Sequence, residues 1–128
     1  MKSRFAIFSV MLVLILFLCG CSGGSYITTK SVEKNNANEM SMKYEKFKGY
    51  KYYKLKVKEG EEIIVTVDIK TENGKISAYI AKDDDVENAV YRGTNIPTSN
   101  FTVSITESGT YTIRVDAVNH KGSYSFKW

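Results

Sequence analysis

An all-β fold, a single antiparallel β-sandwich of about seven strands, is predicted by three features of the chain. Apolar residues recur at every second position through residues 43–128, and a period of two marks strands with one buried face. Gly, Asn and Asp interrupt that alternation at regular intervals. No amphipathic helical period appears among the alternating segments. Short strands at such spacing, without helices, argue for two packed sheets rather than a parallel α/β fold.

The elements follow in order. Lys2 and Arg4 give a basic start, and residues 5–18 are apolar except for Ser9. That is the layout of a secretory signal peptide, and it is short of the roughly 20 apolar residues a spanning helix needs. It ends at Leu18-Cys19-Gly20-Cys21, which resembles the lipobox of bacterial lipoproteins. The resemblance implies cleavage after Gly20, lipidation of Cys21, and a location on the extracytoplasmic face of the membrane, as in a Gram-positive cell. Cys19 has Leu18 before it, where a small residue is wanted, and does not fit. The expected organisation is a signal peptide over 1–20, a lipidated cysteine and flexible linker over 21–42, and the sandwich over 43–128.

Cysteine usage follows from that cleavage. Cys19 leaves with the signal and Cys21 becomes a thioether, so neither a disulfide nor a cysteine-held metal is expected. Losing Lys2 and Arg4 lowers the formal net charge from +4 to +2. So modest an excess, on an exported chain, argues against a nucleic-acid partner.

Residues 22–42 are rich in Ser, Gly, Thr, Asn and Lys, with only Ile27, Val32 and Met40 scattered among them. They read as a flexible tether, about 25 Å across as a random coil. A short helix over 32–42 or an extra edge strand at 26–29 remains open. In the domain, Tyr53, Leu55 and Val57 alternate with lysines, Glu59-Gly60 turns the chain, and Ile63, Val65, Val67 and Ile69 form a second row. Asn73-Gly74 is a hairpin signal, because both residues tolerate the positive φ of a type I′ turn. Ile76, Ala78 and Ile80 make the next strand, a weak one spans 89–92, and Phe101, Val103 and Ile105 resume the alternation after a long loop. After a turn at 107–109, Tyr111, Ile113, Val115 and Ala117 face inward, with Thr112 and Arg114 outward. Asn119-His120-Lys121-Gly122 reads as another turn, and Tyr124, Phe126 and Trp128 close the chain.

The runs Gly49–Val57, Gly60-Glu61, Gly109–Val115 and Gly122–Phe126 together resemble the bacterial pre-peptidase C-terminal domain, a secreted β-sandwich, and the resemblance implies a jelly-roll-like course of the strands. The resemblance covers residues 48–128 and implies a fold more than a function. No protease precedes the domain here, and the acidic residues that bind calcium in some relatives are not evident.

Few constellations point to chemistry. His120 is the only histidine and sits in an expected turn, so it reads as solvated rather than catalytic, and no enzymatic activity is expected. Asp83, Asp85 and Glu87 space carboxylates as the start of a calcium loop does, but the sixth-position Gly and the distal Glu are missing. A solvated turn is the simpler reading, and no cofactor is expected. Seven lysines fall within residues 43–58, interleaved with tyrosines. Tyr52, Lys54, Lys56 and Lys58 share one strand face and are the candidate contact residues. They are read either as charges protecting an edge strand or as a surface for an anionic wall polymer, lipid headgroups or a glycan. The functional expectation is a non-catalytic binding module of the cell envelope, held on the membrane through Cys21, with a polymer or an exported protein as partner. The alternative is a protective lipoprotein that intercepts a toxin or phage component.

Overall fold

The apolar alternation slips by one residue at three places, and in three dimensions each slip is a bend in a long strand. In a computed structural model, which describes residues 22–128, the elements are β1 (Ser22–Thr29), β2 (Val32–Asn36), β3 (Glu39–Val57), β4 (Ile63–Lys82), a single 3₁₀ turn at Val86–Asn88, β5 (Tyr91–Gly93), β6 (Ser99–Ile105) and β7 (Gly109–Lys127). The signal peptide and Cys21 lie outside the described residues. β3, β4 and β7 run to 19, 20 and 19 residues, against the five or six of an average strand.

Each long strand changes inward parity at its middle. In β3 the buried side chains are Met40, Met42 and Tyr44, then Phe47, Leu55 and Val57; in β4 they are Val65, Val67 and Ile69, then Ile76, Ala78 and Ile80. Register shifts mark the slips, between Tyr44 and Gly49 in β3 and between Thr71 and Lys75 in β4. An extra residue in one strand of a pair bends that strand and raises its local twist. All the pairings are antiparallel: β3 lies between β7 and the successive edge strands β1 and β2, and β4 lies between β7 and the successive edge strands β5 and β6. The sheet therefore folds over along one crease into two facing layers, an all-β sandwich whose core includes Tyr111, Ile113, Val115, Tyr124 and Phe126. Opposite the crease, residues 58–62 join β3 to β4 and residues 106–108 join β6 to β7, linking one layer to the other.

Several sequence expectations are corrected here. Asn73-Gly74 is not a hairpin: both residues lie inside β4, where Gly74 has a φ of 75°. A Cβ at Gly74 would run into the backbone of Asn119 and His120 on β7, so this glycine serves a close approach of two strands. Asn119–Gly122 is likewise the bend of β7, not a turn. Residues 22–42 are strand rather than tether, pairing with β3 from Ser22↔Tyr53 to Asn36↔Glu39. Met40 and Met42, at 1% and 2% exposure, belong to the core. Their isolation in a polar segment hid the β period. β3 is consequently an interior strand over residues 39–53, so Lys43, Lys46, Lys48 and Lys51 protect no edge, whereas Lys54 and Lys56 lie beyond its last pair with β1.

His120 is fully buried at the crease. The Thr71 hydroxyl donates to the Ile96 carbonyl at 2.9 Å and lies 2.9 Å from His120 Nε2. With its proton committed, Thr71 Oγ1 accepts from Nε2–H, which leaves Nδ1 to accept from the Tyr44 hydroxyl at 2.5 Å. The chain of donors fixes a neutral imidazole. It ties together β3, β7, β4 and the segment between β5 and β6. Near one edge Lys51, which points inward, meets Glu33 of β2 across the two layers and lies 4.6 Å from the centroid of the Tyr26 ring. Burial pushes the Lys51 ammonium below its usual value.

Burial also pushes the His120 pKa down. The unfolded chain then holds the imidazole proton more readily than the folded one, so His120's stabilisation is present above about pH 6.5 and is lost as the pH falls below that unfolded value. Thermal unfolding between pH 7.5 and 5.5 should show this loss, and His120→Gln should flatten it. His120→Ala, which also orphans the Tyr44 hydroxyl, should cost roughly 2–4 kcal/mol at pH 7.5 in denaturant titration.

Candidate functional site

The outer face of the layer formed by the second halves of β3 and β4 and the first half of β7 carries one cross-strand row of a particular composition. Pairing registers place Gly23 of β1 beside Tyr52 of β3, Tyr52 beside Arg114 of β7, Arg114 beside Tyr79 of β4, and Tyr79 beside Arg92 of β5. Side chains paired across strands stand about 5 Å apart, so rings and guanidinium groups alternate across the sheet. The next rows add Tyr50 beside Asp116 and Lys54 beside Thr112. Tyr50, Tyr52, Lys54, Tyr79, Asp84, Thr112 and Arg114 enclose a shallow depression of about 420 Å³.

The charges that line the depression are paired. The Arg114 guanidinium holds Asp116 through two bonds, Nε to Oδ2 at 3.0 Å and Nη2 to Oδ1 at 2.9 Å, and lies 4.2 Å from the Tyr50 ring centroid. The bond to Asp116 raises the Arg114 pKa further. Lys54 Nζ donates to Asp84 Oδ2 at 3.2 Å. Asp84 reaches the face because Asp83 and Asp84 adopt left-handed φ values of 52° and 57°, a conformation aspartate tolerates better than most residues. The Thr112 hydroxyl and then Lys54 hold the Asp84 carboxyl below the usual carboxylate range. Such exposed pairs add little stability. Their effect here is positional: they fix the directions of donors and acceptors around the three tyrosines.

Tyr52 leans toward β1. A Cβ on Gly23 would lie 2.8 Å from the Tyr52 hydroxyl oxygen and 3.0 Å from Cζ. The absent side chain at residue 23 is what gives the ring room.

Of the candidate residues read from sequence, the structure brings Tyr52 and Lys54 into the depression. Lys56 is exposed on the same strand face but does not line it. Lys58 lies past the end of β3, in the turn where Glu61 N–H donates to its carbonyl at 3.1 Å. The row is thus divided between the depression, open surface and a loop. Tyr50, Tyr79, Asp84, Arg114 and Thr112 were missed, since the four strand residues are unremarkable in their own strands and become neighbours only through register, and Asp84 is brought to them by the left-handed turn after β4. Thr112, expected outward and exposed, does face outward, yet only 4% of it is exposed. Asp83, Asp84 and Asp85 diverge. Asp84 turns to the face while Asp85 accepts from Asn88 at 2.9 Å, and no cluster of three or more His, Cys, Asp or Glu suited to a metal occurs among the described residues.

No family model matches the chain and no curated protein does, so the resemblance to the pre-peptidase C-terminal domain has no support from these comparisons. Solved structures do show similarity. The low-affinity xylan-binding module CBM86 from the gut symbiont Roseburia intestinalis is 12% identical, with 82% of this chain and 91% of that one covered at a TM-score of 0.42. TmCBM61, solved with β-1,4-galactotriose, is 19% identical, with 82% and 81% covered at 0.44. A domain of tailspike protein 4 of bacteriophage CBA120 is 11% identical, with 84% of this chain but 18% of that one covered at 0.42.

Because the Thr112 hydroxyl is the first cause of Asp84's acidity, Thr112→Val should raise the Asp84 carboxyl midpoint toward the ordinary aspartate range. Side-chain NMR titration checks this.

Proposed function

We propose that the chain is a non-catalytic binding module of the cell envelope, held at the membrane through lipidated Cys21, and that its tyrosine face binds a neutral glycan chain. The observation that supports this reading is the charge balance of the face. Lys54 is matched by Asp84, and Arg114 by Asp116. A polyanion would meet no uncommitted positive charge in the depression. A neutral polyhydroxylated chain would meet oriented donors and acceptors for its hydroxyls, and tyrosine rings for its C–H faces. Tyrosine suits that contact because its ring is apolar and its tip is polar. The depression is open and shallow, which suits the side of a polymer better than a small molecule, whose sites are typically enclosed.

The start of the described chain bears on how such a module is displayed. Ser22 is already paired with Tyr53, so a lipid on Cys21 would hold the sandwich close to the bilayer with no flexible spacer. Two or more acyl chains make such an attachment durable.

Affinity electrophoresis of the full chain in gels containing neutral polysaccharides tests the glycan reading. One or more neutral polymers should retard the protein, with little dependence on salt. Tyr52→Ala and Tyr79→Ala should each weaken retardation by roughly tenfold, and Gly23→Val should weaken it by displacing Tyr52. Retardation that survives all three substitutions would exclude this face. For the anchor, Cys21→Ala should abolish fatty-acid labelling while Cys19→Ala leaves it intact, and label persisting in the Cys21 variant would refute the lipidation.

A further inference from the structure

The outside of the crease carries six lysines, Lys30, Lys46, Lys48, Lys70, Lys75 and Lys121, against Glu45 and Glu72, and all eight residues are exposed. Three of the lysines have carboxylate neighbours: Lys30 to Glu45 at 3.6 Å, Lys70 to Glu72 at 3.3 Å, and Lys121 to Glu72 at 3.9 Å. Lys46, Lys48 and Lys75 have none within ion-pairing distance among the described residues. The bends align these groups. Lys46 and Lys121 flank the Phe47↔His120 pair at the β3–β7 junction, Lys121 pairs with Asn73 of β4, and Lys75 follows two residues on. A basic ridge therefore runs over four successive strand positions, about 15 Å across at the usual strand spacing. Between Lys48 and Lys75 lies a depression of about 360 Å³ that also presents Ser77, Asn95 and Asp116.

The opposite end of the same layer has the other sign. Residues 54–62, 82–88 and 107 carry four lysines against eight carboxylates, and the registers Leu55↔Tyr111 and Lys82↔Tyr111 place most of them at one lip. Eight or so residues of strand separate lip from ridge, about 25 Å. The layer is an electrostatic dipole along its strands, and such a field steers a charged partner to one end.

We infer that the crease is a docking surface for a linear polyanion whose repeating unit carries a phosphate. Lysine ammonium groups are compact point charges on flexible stems, and a ridge of them follows a chain of phosphates without demanding one fixed geometry. The acidic lip repels the same polymer, so contact is confined to the crease. The contact is separate from the tyrosine face and independent of it: one uses unmatched charge, the other matched charge. It also moves polyanion contact away from Lys54, Lys56 and Lys58, which lie at the acidic lip.

Binding of the full chain, in neutral detergent, to long-chain inorganic polyphosphate over a salt series tests the inference. Wild-type affinity should fall linearly on a log–log plot against salt. Lys46→Gln/Lys48→Gln/Lys75→Gln should lower low-salt affinity at least tenfold and reduce the slope by about 2, at roughly 0.7 per charge removed for a single-stranded polyanion. The charge-matched control Lys43→Gln/Lys56→Gln/Lys58→Gln should leave both unchanged, and both variants should keep the wild-type melting temperature because every substituted side chain is exposed. The inference is overturned if wild-type protein does not bind polyphosphate, if the ridge variant binds as wild type does, or if the control loses as much affinity as the ridge variant.

Discussion

The hydrogen-bond chain from Tyr44 through His120 and Thr71 to the Ile96 carbonyl is the constraint on which the architecture depends. Bending a sheet sharply brings backbone from several strands together at a line where ladder bonds are disturbed, and buried polar groups at such a line must be paired. One imidazole, buried without charge, satisfies a donor and an acceptor on two different strands. Around it Phe47 and Tyr124 meet edge to face, with ring centroids 6.0 Å apart, and Gly74 and Gly122 remove the side chains that would hold β4 and β7 apart. The polar chain sets the direction of the fold at the crease, and the aromatic rings fill the space beside it. With no disulfide in the described residues, this packed corner and the core it opens into carry the stability that small exported domains commonly draw from crosslinks.

The same bend creates the two outer surfaces. Folding one wide sheet leaves a gently twisted face on each layer and a convex ridge between them. The tyrosine row lies on a face because cross-strand registers align Tyr52, Arg114, Tyr79 and Arg92 across four strands. The lysines collect on the ridge because the residues at the outside of a bend are the ones most open to water. Charge is matched in the depression of the face and positive charge is in excess on the ridge. The two surfaces therefore select different chemistry although they adjoin at Tyr50, which borders both depressions.

Edges are handled unequally. The β1–β2 edge is closed between the layers by Lys51 and Glu33, an ion pair that points inward rather than into solvent. Inward charges near a sheet margin discourage pairing with another chain. Ile27 and Val32 remain exposed at 75% and 68% along that edge. The other edge is divided between β5, of three residues, and β6, of seven, and so short an edge strand as β5 offers little template for further pairing.

By itself, the sequence determined the strand content beyond residue 43, the turns at 59–60 and 107–109, and the inward rows from Tyr53 to Ile80 and from Phe101 to Phe126. All of these rest on local chemistry, namely side-chain alternation and the φ tolerance of Gly, Asn and Asp. Tyr52 and Lys54 were legible as surface residues for the same reason. Tertiary structure decided what each slip of phase meant. A one-residue shift beside Asn73-Gly74 is equally a hairpin and a bulge until the partner strand is known, because both place a residue at positive φ; β7 lying along both halves of β4 makes it a bend. His120 read as solvated because it sits among Asn, Lys and Gly, and only the crease surrounds it with Tyr44, Thr71 and Ile96. Residues 22–42 read as a tether because few of their side chains are apolar, and their strand state comes from backbone pairing with β3, which leaves no mark in side-chain composition. Arg114 and Tyr79 joined Tyr52 only through register, a property of the folded sheet when the strands are far apart in sequence, and Asp84 joined them through the left-handed turn after β4.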